Sequence, residues 1–280
     1  MNIKFLGTAA AEGVPALFCQ CDVCKIAKEE KGRNIRTRFQ ISVNDDLLID
    51  FPPDTYMHVI NQELNLDTVK DILITHSHED HIFIPDLSYR MDGYSGKRPD
   101  GKINIYSNPE VYKMIDDYIE SVGIKSGFND VFETKNIEPF QKYNIGKYTV
   151  YALSADHNPP EHCYFYIVID EKGKAALFAH DTGYFPQSSW KFLEQLNLQF
   201  DLISLDCTCA FLDSDRMHMS MNVCSKVKNR LIDMNCTHDK TVFIVDHFSH
   251  NGLKGNFETL EKLAEQSEFI PAYDGMEIQI

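Results

Sequence analysis

The chain has 280 residues, 43% of them hydrophobic and 25% charged, with 14 Gly and 11 Pro, which excludes disordered, collagenous and low-complexity classes. Its 27 Lys+Arg against 42 Asp+Glu leave a net charge of −15, a surface that repels polyanions and argues against extended nucleic acid as a partner. No apolar stretch approaches the ~18 residues of a membrane helix, and Met1–Gly7 reads as a strand and not as a signal peptide, so a cytoplasmic protein without membrane contact is expected.

Short β-branched and aromatic runs predict strands near Ile3–Thr8, Phe39–Val43, Leu47–Phe51, Asp71–Thr75 and Ile103–Ser107. A second series follows near Tyr148–Ser154, Cys163–Ile169, Ala175–Ala179, Leu202–Leu205 and Thr241–Val245, with a closing strand at Met276–Ile280. Helical patterns fall near Thr55–Gln62, Ile82–Met91, Glu110–Val122, Ser188–Gln195, Met221–Met234 and Phe257–Gln266. Asn108-Pro109-Glu110 is a start signal for the third of these and Gly123 a stop. Two strand-rich halves with helices, and no linker between them, predict an α/β fold of two packed sheets with helices outside, formed by residues 1–280 as one domain.

The strongest chemical signal is Thr75-His76-Ser77-His78-Glu79-Asp80-His81, directly after a buried-looking strand. Imidazole and carboxylate together suit Zn, Fe and Mn. His76 and His78 can point the same way from an extended segment. Asp80 and His81, read as the start of the next helix, diverge and suit a second ion. Asp156-His157, His180-Asp181 and Asp246-His247 each follow a predicted strand, so further ligands gather at one sheet edge. Two ions ~3.5–4 Å apart activate water and polarise a phosphoryl or carbonyl oxygen. Their positive charge offsets the acidic chain within a cleft. His218, ahead of a predicted helix and outside the ligand slots, is the candidate proton donor, with a surface histidine as the alternative. Asp50 and Asp206, at strand ends, read either as carboxylates orienting ligand histidines or as turn formers.

Cys19-Gln20-Cys21-Asp22-Val23-Cys24, three of the eight cysteines, forms a C-x-C-x-x-C run in a loop at about 13–38. Three such thiolates favour a closed tetrahedral zinc site needing one more ligand. His250, Cys207, Cys209 and Cys163 are the available fourth ligands, and His250 would let one loop serve both sites.

The His76–His81 segment resembles the His-x-His-x-Asp-His motif of the metallo-β-lactamase superfamily, whose fold is a four-layer αββα sandwich. By that resemblance His76, His78 and His157 hold one ion, Asp80, His81 and His247 hold the other, and Asp181 bridges them. Gly7-Thr8, the cysteine run, His247-x-x-His250 and Tyr273-Asp274-Gly275-Met276-Glu277-Ile278 look like one branch of it. That branch is the phosphoribosyl 1,2-cyclic phosphate phosphodiesterases of bacterial phosphonate breakdown. The resemblance implies a structural zinc on Cys19, Cys21, Cys24 and His250, manganese or zinc at the catalytic pair, His218 as acid and a homodimer. It implies a small anionic phosphodiester as substrate. The competing expectations are a lactone or thioester hydrolase, a tRNA 3′-processing endonuclease, and a non-hydrolytic protein like the pyrroloquinoline quinone biosynthesis B protein.

Overall fold

The computed structural model describes residues 1–280. The first sheet begins with β1 (Asn2–Gly7), β2 (Gln40–Val43) and β3 (Leu47–Ile49), continues through β4 (Asp71–Leu73), β5 (Ile103–Ser107) and β6 (Phe132–Asn136), and takes the C-terminal β14 (Met276–Gln279) at its other edge. The second holds β7 (Tyr143–Ile145), β8 (Tyr148–Ser154), β9 (Tyr164–Ile169), β10 (Ala175–Ala179), β11 (Phe200–Asp206), β12 (Thr237–Asp246) and β13 (Ile270–Pro271). Each sheet has seven strands.

Parallel pairing controls where strand ends fall. β3 to β6 run parallel in the first sheet. In the second, β10 to β13 run parallel, and β8, antiparallel to β9 as β9 is to β10, shares their direction. Parallel neighbours need crossovers, which the helices supply. α2 (Thr55–Asn61), α3 (Ile84–Leu87), α4 (Pro109–Ser121) and α5 (Lys125–Val131) serve the first sheet. The second is served by α6 (Gln187–Leu196), α7 (Met221–Asp233) and α8 (Phe257–Glu265). The Asn108 side chain accepts the Val111 N–H at 2.8 Å with Pro109 in the first turn, so α4 starts where its sequence signal stands.

Three apolar layers account for the stacking. Ile3, Ile41, Ile49 and Leu73 of the first sheet meet Val150, Tyr166, Phe178 and Ile244 of the second. Ile72, Ile105, Ile115 and Phe128 close the first sheet under its helices, and Leu177, Trp190, Val227 and Leu260 close the second. The result is the four-layer αββα sandwich. Gly7 packs so closely on the Arg38 carbonyl that a Cβ there would collide with it, fixing glycine at the end of β1.

Several elements differ from expectation. The cysteine segment is not all loop: α1 (Asp22–Glu30) crosses it, with Cys21 at its N-cap and Cys24 buried in its first turn. Asp80 and His81 lie in a turn, and α3 starts only at Ile84, Pro85 being favoured at a first turn and His81 N bonding His78 O at 2.9 Å. α5, β6, β7 and β13 were not anticipated: they are two to seven residues long, the first three mix polar with apolar positions, and β13 is only Ile270-Pro271.

Phe39, just before β2, joins the inter-sheet core to the histidines above it. It is buried, and its ring centroid lies 4.2 Å from that of His180, 5.8 Å from His247 and 6.0 Å from His81. Phe39→Ala should lose about 3–5 kcal/mol of stability in urea unfolding, whereas a loss under about 1 kcal/mol would show that this ring is not part of the packed floor.

Candidate metal centre

The C-terminal ends of β3, β4, β8, β10, β11 and β12 all deliver polar side chains to one cleft between the sheets. Asp50 follows β3, the His76–His81 segment follows β4, and His157 follows β8. Asp181 follows β10, Asp206 ends β11 and His247 follows β12. Asp50, Asp181 and His247 take left-handed backbone conformations, with φ of 65°, 49° and 61°. Such φ values are costly outside glycine and concentrate at functional sites.

The donor atoms of His76, His78 and His157 lie within 4.8 Å of one another, as do those of Asp80, His81 and His247. His76 Nε2 is 2.9 Å and His157 Nε2 3.3 Å from His78 Nδ1, so His78 faces the group with Nδ1, where the other two use Nε2. Asp181 stands between the two groups. Its Oδ1 is 3.6 Å from His157 Nε2, while its Oδ2 is 3.1 Å from His81 Nε2 and 3.0 Å from His247 Nε2. Asp80 Oδ2 is 3.2 Å from His81 Nε2.

The far ring nitrogens are engaged elsewhere. His81 Nδ1 donates to Asp50 Oδ2 at 2.7 Å, and Asp50 also accepts the Thr75 N–H and hydroxyl. His247 Nδ1 lies 2.8 Å from Thr208 Oγ1, and His157 Nδ1 donates to the Met217 carbonyl at 3.2 Å. Each of these contacts fixes a ring so that Nε2 faces the cleft. Ser77 is clamped by Glu161, which accepts its N–H at 2.8 Å and its hydroxyl at 2.7 Å.

This arrangement fits divalent cations. His81 Nε2, His247 Nε2 and Asp181 Oδ2 are buried and without a hydrogen-bond partner despite their closeness. Buried polar atoms are rarely left so, and three of them turned toward one another are a donor set for a positive ion. Electrostatics agree. Burial alone would raise the Asp181 carboxyl, but His247 and His81 hold it well below the usual carboxylate range. Asp80 is held at about 2 against its burial, chiefly by His81. Burial, with His81 adding, pushes His76 well down, leaving a neutral imidazole suited to ligation.

His218 sits on the same face. Its ring lies 4.9 Å from that of His157 and is stacked on His247 at 5.8 Å and 16°. Its Nδ1 donates to Asp206 Oδ2 at 2.9 Å, and a quarter of the side chain is exposed. Burial would lower its pKa, but Asp206 raises it to about 9. Asp206 also accepts the Thr208 and Met219 N–H groups, so it grips His218 directly and reaches His247 Nδ1 only at 3.8 Å. His180 is left out: it bonds Ser204 Oγ at 2.9 Å, and burial presses it to about 3.

Of the four candidate partners for the cysteine run, His250 is the one that lies beside it. The sulfurs of Cys19, Cys21 and Cys24 and a His250 ring nitrogen lie within 4.8 Å of one another. His250 Nδ1 is 3.6 Å from Cys19 Sγ and 3.5 Å from Cys21 Sγ. Cys163, Cys207 and Cys209 stand outside the group, and all eight cysteines are free thiols. Three sulfurs and one imidazole are a donor set for tetrahedral zinc.

Sequence reasoning missed Thr75, Glu161, Thr208 and Arg216, whose roles come from partners distant in the chain. Strand-end position was a usable signal only for Thr75 and Thr208, beside Asp50 and Asp206 in this network.

Comparison with known proteins bears on the whole arrangement. Residues 46–264, most of the chain, match the beta-lactamase superfamily domain. A ribonuclease Z of Methanococcus aeolicus is 27% identical over 176 residues, covering 61% of this chain and 48% of that protein. The chain thus spans about half the length of the ribonucleases Z it matches. A diphosphatase of the PhnP family superposes with a TM-score of 0.73 at 17% identity, covering 100% of this chain and 97% of its own. Zinc-bound PqqB from Methylobacterium extorquens gives 0.73 at 18% identity, with 100% of both chains covered. Human tRNase Z, short form, gives 0.68 at 16%, covering 100% of this chain and 99% of its own. The chain belongs to the beta-lactamase superfamily and has the metallo-β-lactamase fold.

Proposed function

We propose that the protein is a dinuclear metal-dependent phosphodiesterase acting on a small cyclic or diester phosphate, of the type of phosphoribosyl 1,2-cyclic phosphate. The observation that carries this reading is His218, tethered to Asp206 on the face that holds the seven clustered side chains. His76, His78 and His157 would hold one divalent cation, Asp80, His81 and His247 a second, and Asp181 would be shared by both sets. When bound, manganese or zinc ions supply a water of lowered pKa and a Lewis acid for the phosphoryl oxygen. The protein's own part is orientation and proton delivery. Asp50, Thr208 and the Met217 carbonyl fix the rings, and His218, kept protonated by Asp206, donates to the departing oxygen. A thioester, whose thiolate departs without a proton, asks less of such a donor than an alkoxide leaving phosphorus. The net charge of −15 favours a small anion over tRNA, and the complete set of six His and Asp ligands with Asp181 favours catalysis over a carrier role of the PqqB kind. Cys19, Cys21, Cys24 and His250 are assigned to a structural zinc that fastens the segment leading into α1.

The decisive assay loads the protein with manganese and follows bis(p-nitrophenyl) phosphate, a 2′,3′-cyclic nucleotide, a lactone panel and a tRNA precursor. Turnover of both diesters is expected; lactone turnover alone, or precursor cleavage without small-diester cleavage, overturns the reading. His218→Ala should slow the cyclic nucleotide about 10²-fold or more with both ions retained.

Metal analysis tests the ligand assignment separately. Asp181→Ala should bind fewer than two ions at the cleft by elemental analysis, since it removes the group shared by both sets. Retention of both ions at unchanged affinity would contradict the shared role.

Cys21→Ser should release one zinc and lower the melting temperature by several degrees, with little change in kcat of the protein that stays folded. Loss of kcat at unchanged stability would make the cluster catalytic instead.

A further inference from the structure

We infer that Arg216 is a positioning residue: its grip on Asp156 seats one short segment so that it both fixes the His157 ring and presents His218. This rests on the phosphodiesterase reading, because it concerns proton delivery to the departing oxygen.

The segment is stitched to the cleft at every residue. Arg216 Nε donates to Asp156 Oδ2 at 2.6 Å, and its terminal nitrogen donates to Asp156 Oδ1 at 2.9 Å, a two-pronged pair. The same carboxylate accepts the Met217 N–H at 3.3 Å. Met217, bent to a φ of 62°, then offers its carbonyl to His157 Nδ1 at 3.2 Å. His218 follows immediately, its N–H on the Arg216 carbonyl at 2.7 Å. The turn after Asp181 completes the stitching: Thr182 Oγ1 accepts the Asp156 N–H at 3.0 Å, Gly183 N donates to Asp156 O at 2.9 Å, and Tyr184 N donates to Asp215 O at 2.8 Å. Gly183 itself leaves room for this crossing, since a Cβ there would stand 2.8 Å from both Arg216 Cα and Asp156 Oδ2 and would collide with the Asp215 carbonyl. Three segments that supply His157, Asp181 and His218 therefore meet at one residue, Asp156, through its carboxylate and its backbone.

An exposed ion pair ordinarily contributes little to stability, and the Arg216 side chain is 75% exposed. Planar two-pronged geometry is the exception that fixes orientation. Arg216 should matter for where His218 stands and hardly at all for whether the chain folds. Misplacing a catalytic group by about an ångström costs on the order of 10²-fold. The loss should therefore show where the leaving oxygen needs a proton and vanish where it departs readily as an anion.

The test compares wild type, Arg216→Ala, Arg216→Lys, Asp156→Ala and the Arg216→Ala/Asp156→Ala double variant, all manganese-loaded, on a 2′,3′-cyclic nucleotide and on bis(p-nitrophenyl) phosphate. Arg216→Ala is expected to lower kcat on the cyclic nucleotide at least about 10-fold with KM nearly constant, and to change the activated diester under about 3-fold. Arg216→Lys, which keeps the charge and loses the fork, should resemble Arg216→Ala. The double variant should be no worse than Asp156→Ala, because both act through one contact. Nitrogen-15 spectra of the metal-free protein give a readout independent of turnover: the His157 Nδ1–H signal should be protected in wild type and exchange faster in Arg216→Ala. Equal losses on both substrates, a rise in KM alone, full rescue by lysine, or an unaltered His157 signal would each overturn the inference. A wild type that cleaves neither diester would instead sink the phosphodiesterase reading itself.

Discussion

The whole cleft depends on one buried carboxylate. Asp181 is 3% exposed, and its two oxygens face His157 on one side and His81 and His247 on the other. A charge taken out of water at that depth is tolerable only with compensating charge around it. The imidazoles hold it ionised against its burial, but they also leave Oδ2 and two facing nitrogens without hydrogen-bond partners. That residual demand is what divalent cations would meet, and left-handed backbone at Asp181, Asp50 and His247 accompanies it. The strain is affordable because large packed sheets hold the strand ends on both sides.

Topology converts this local demand into a site. Parallel strands deliver their C-terminal ends to one edge, so residues that follow β4, β8, β10 and β12 arrive together although they lie far apart in the chain. The inter-sheet core sets the depth. Phe39 lies under His180 and His247, so the floor of the cleft is part of the hydrophobic core and not a separate loop construction.

The central strands and longer helices were legible because their apolar runs carry the period of the element and are capped by recognisable residues, as Asn108 and Pro109 show at α4. The cluster at His76–His81 was legible because its members are neighbours in sequence. Asp181 and His247 were legible through their strand-end positions and the family resemblance, and His250, one of four candidates on spacing alone, through the same resemblance. What stayed hidden has a common cause. Asp156 and Arg216 are 60 residues apart, and Glu161 reaches Ser77 across 84, so neither pairing leaves a local pattern. β6, with the sequence Phe-Glu-Thr-Lys-Asn, is a sheet edge whose polar faces meet solvent, and β7 is three residues long; neither carries an alternation strong enough to read. At α1 the apolar face is short, only Val23, Cys24 and Ala27 being buried, so its helical period is masked by the polar residues between them.

The segment His247-Phe248-Ser249-His250 joins the two clusters, and its middle shows how they remain distinct. Phe248 is fully buried, its N–H bonds Thr8 O at 2.9 Å and its carbonyl accepts the Ala10 N–H at 3.0 Å. The buried Arg36 guanidinium covers its ring at 4.5 Å and is itself tied to Thr8 Oγ1 and the Ala272 carbonyl. His247 is therefore held from below by Phe248 and from the side by Thr208, whatever happens to His250. The cysteine cluster lies at the far end of the same segment, beyond that anchor, with Cys21 and Cys24 at the start of α1. This anchor between the two clusters is the physical basis for proposing a structural task for the cysteines and a catalytic one for Asp181 and the histidines around it.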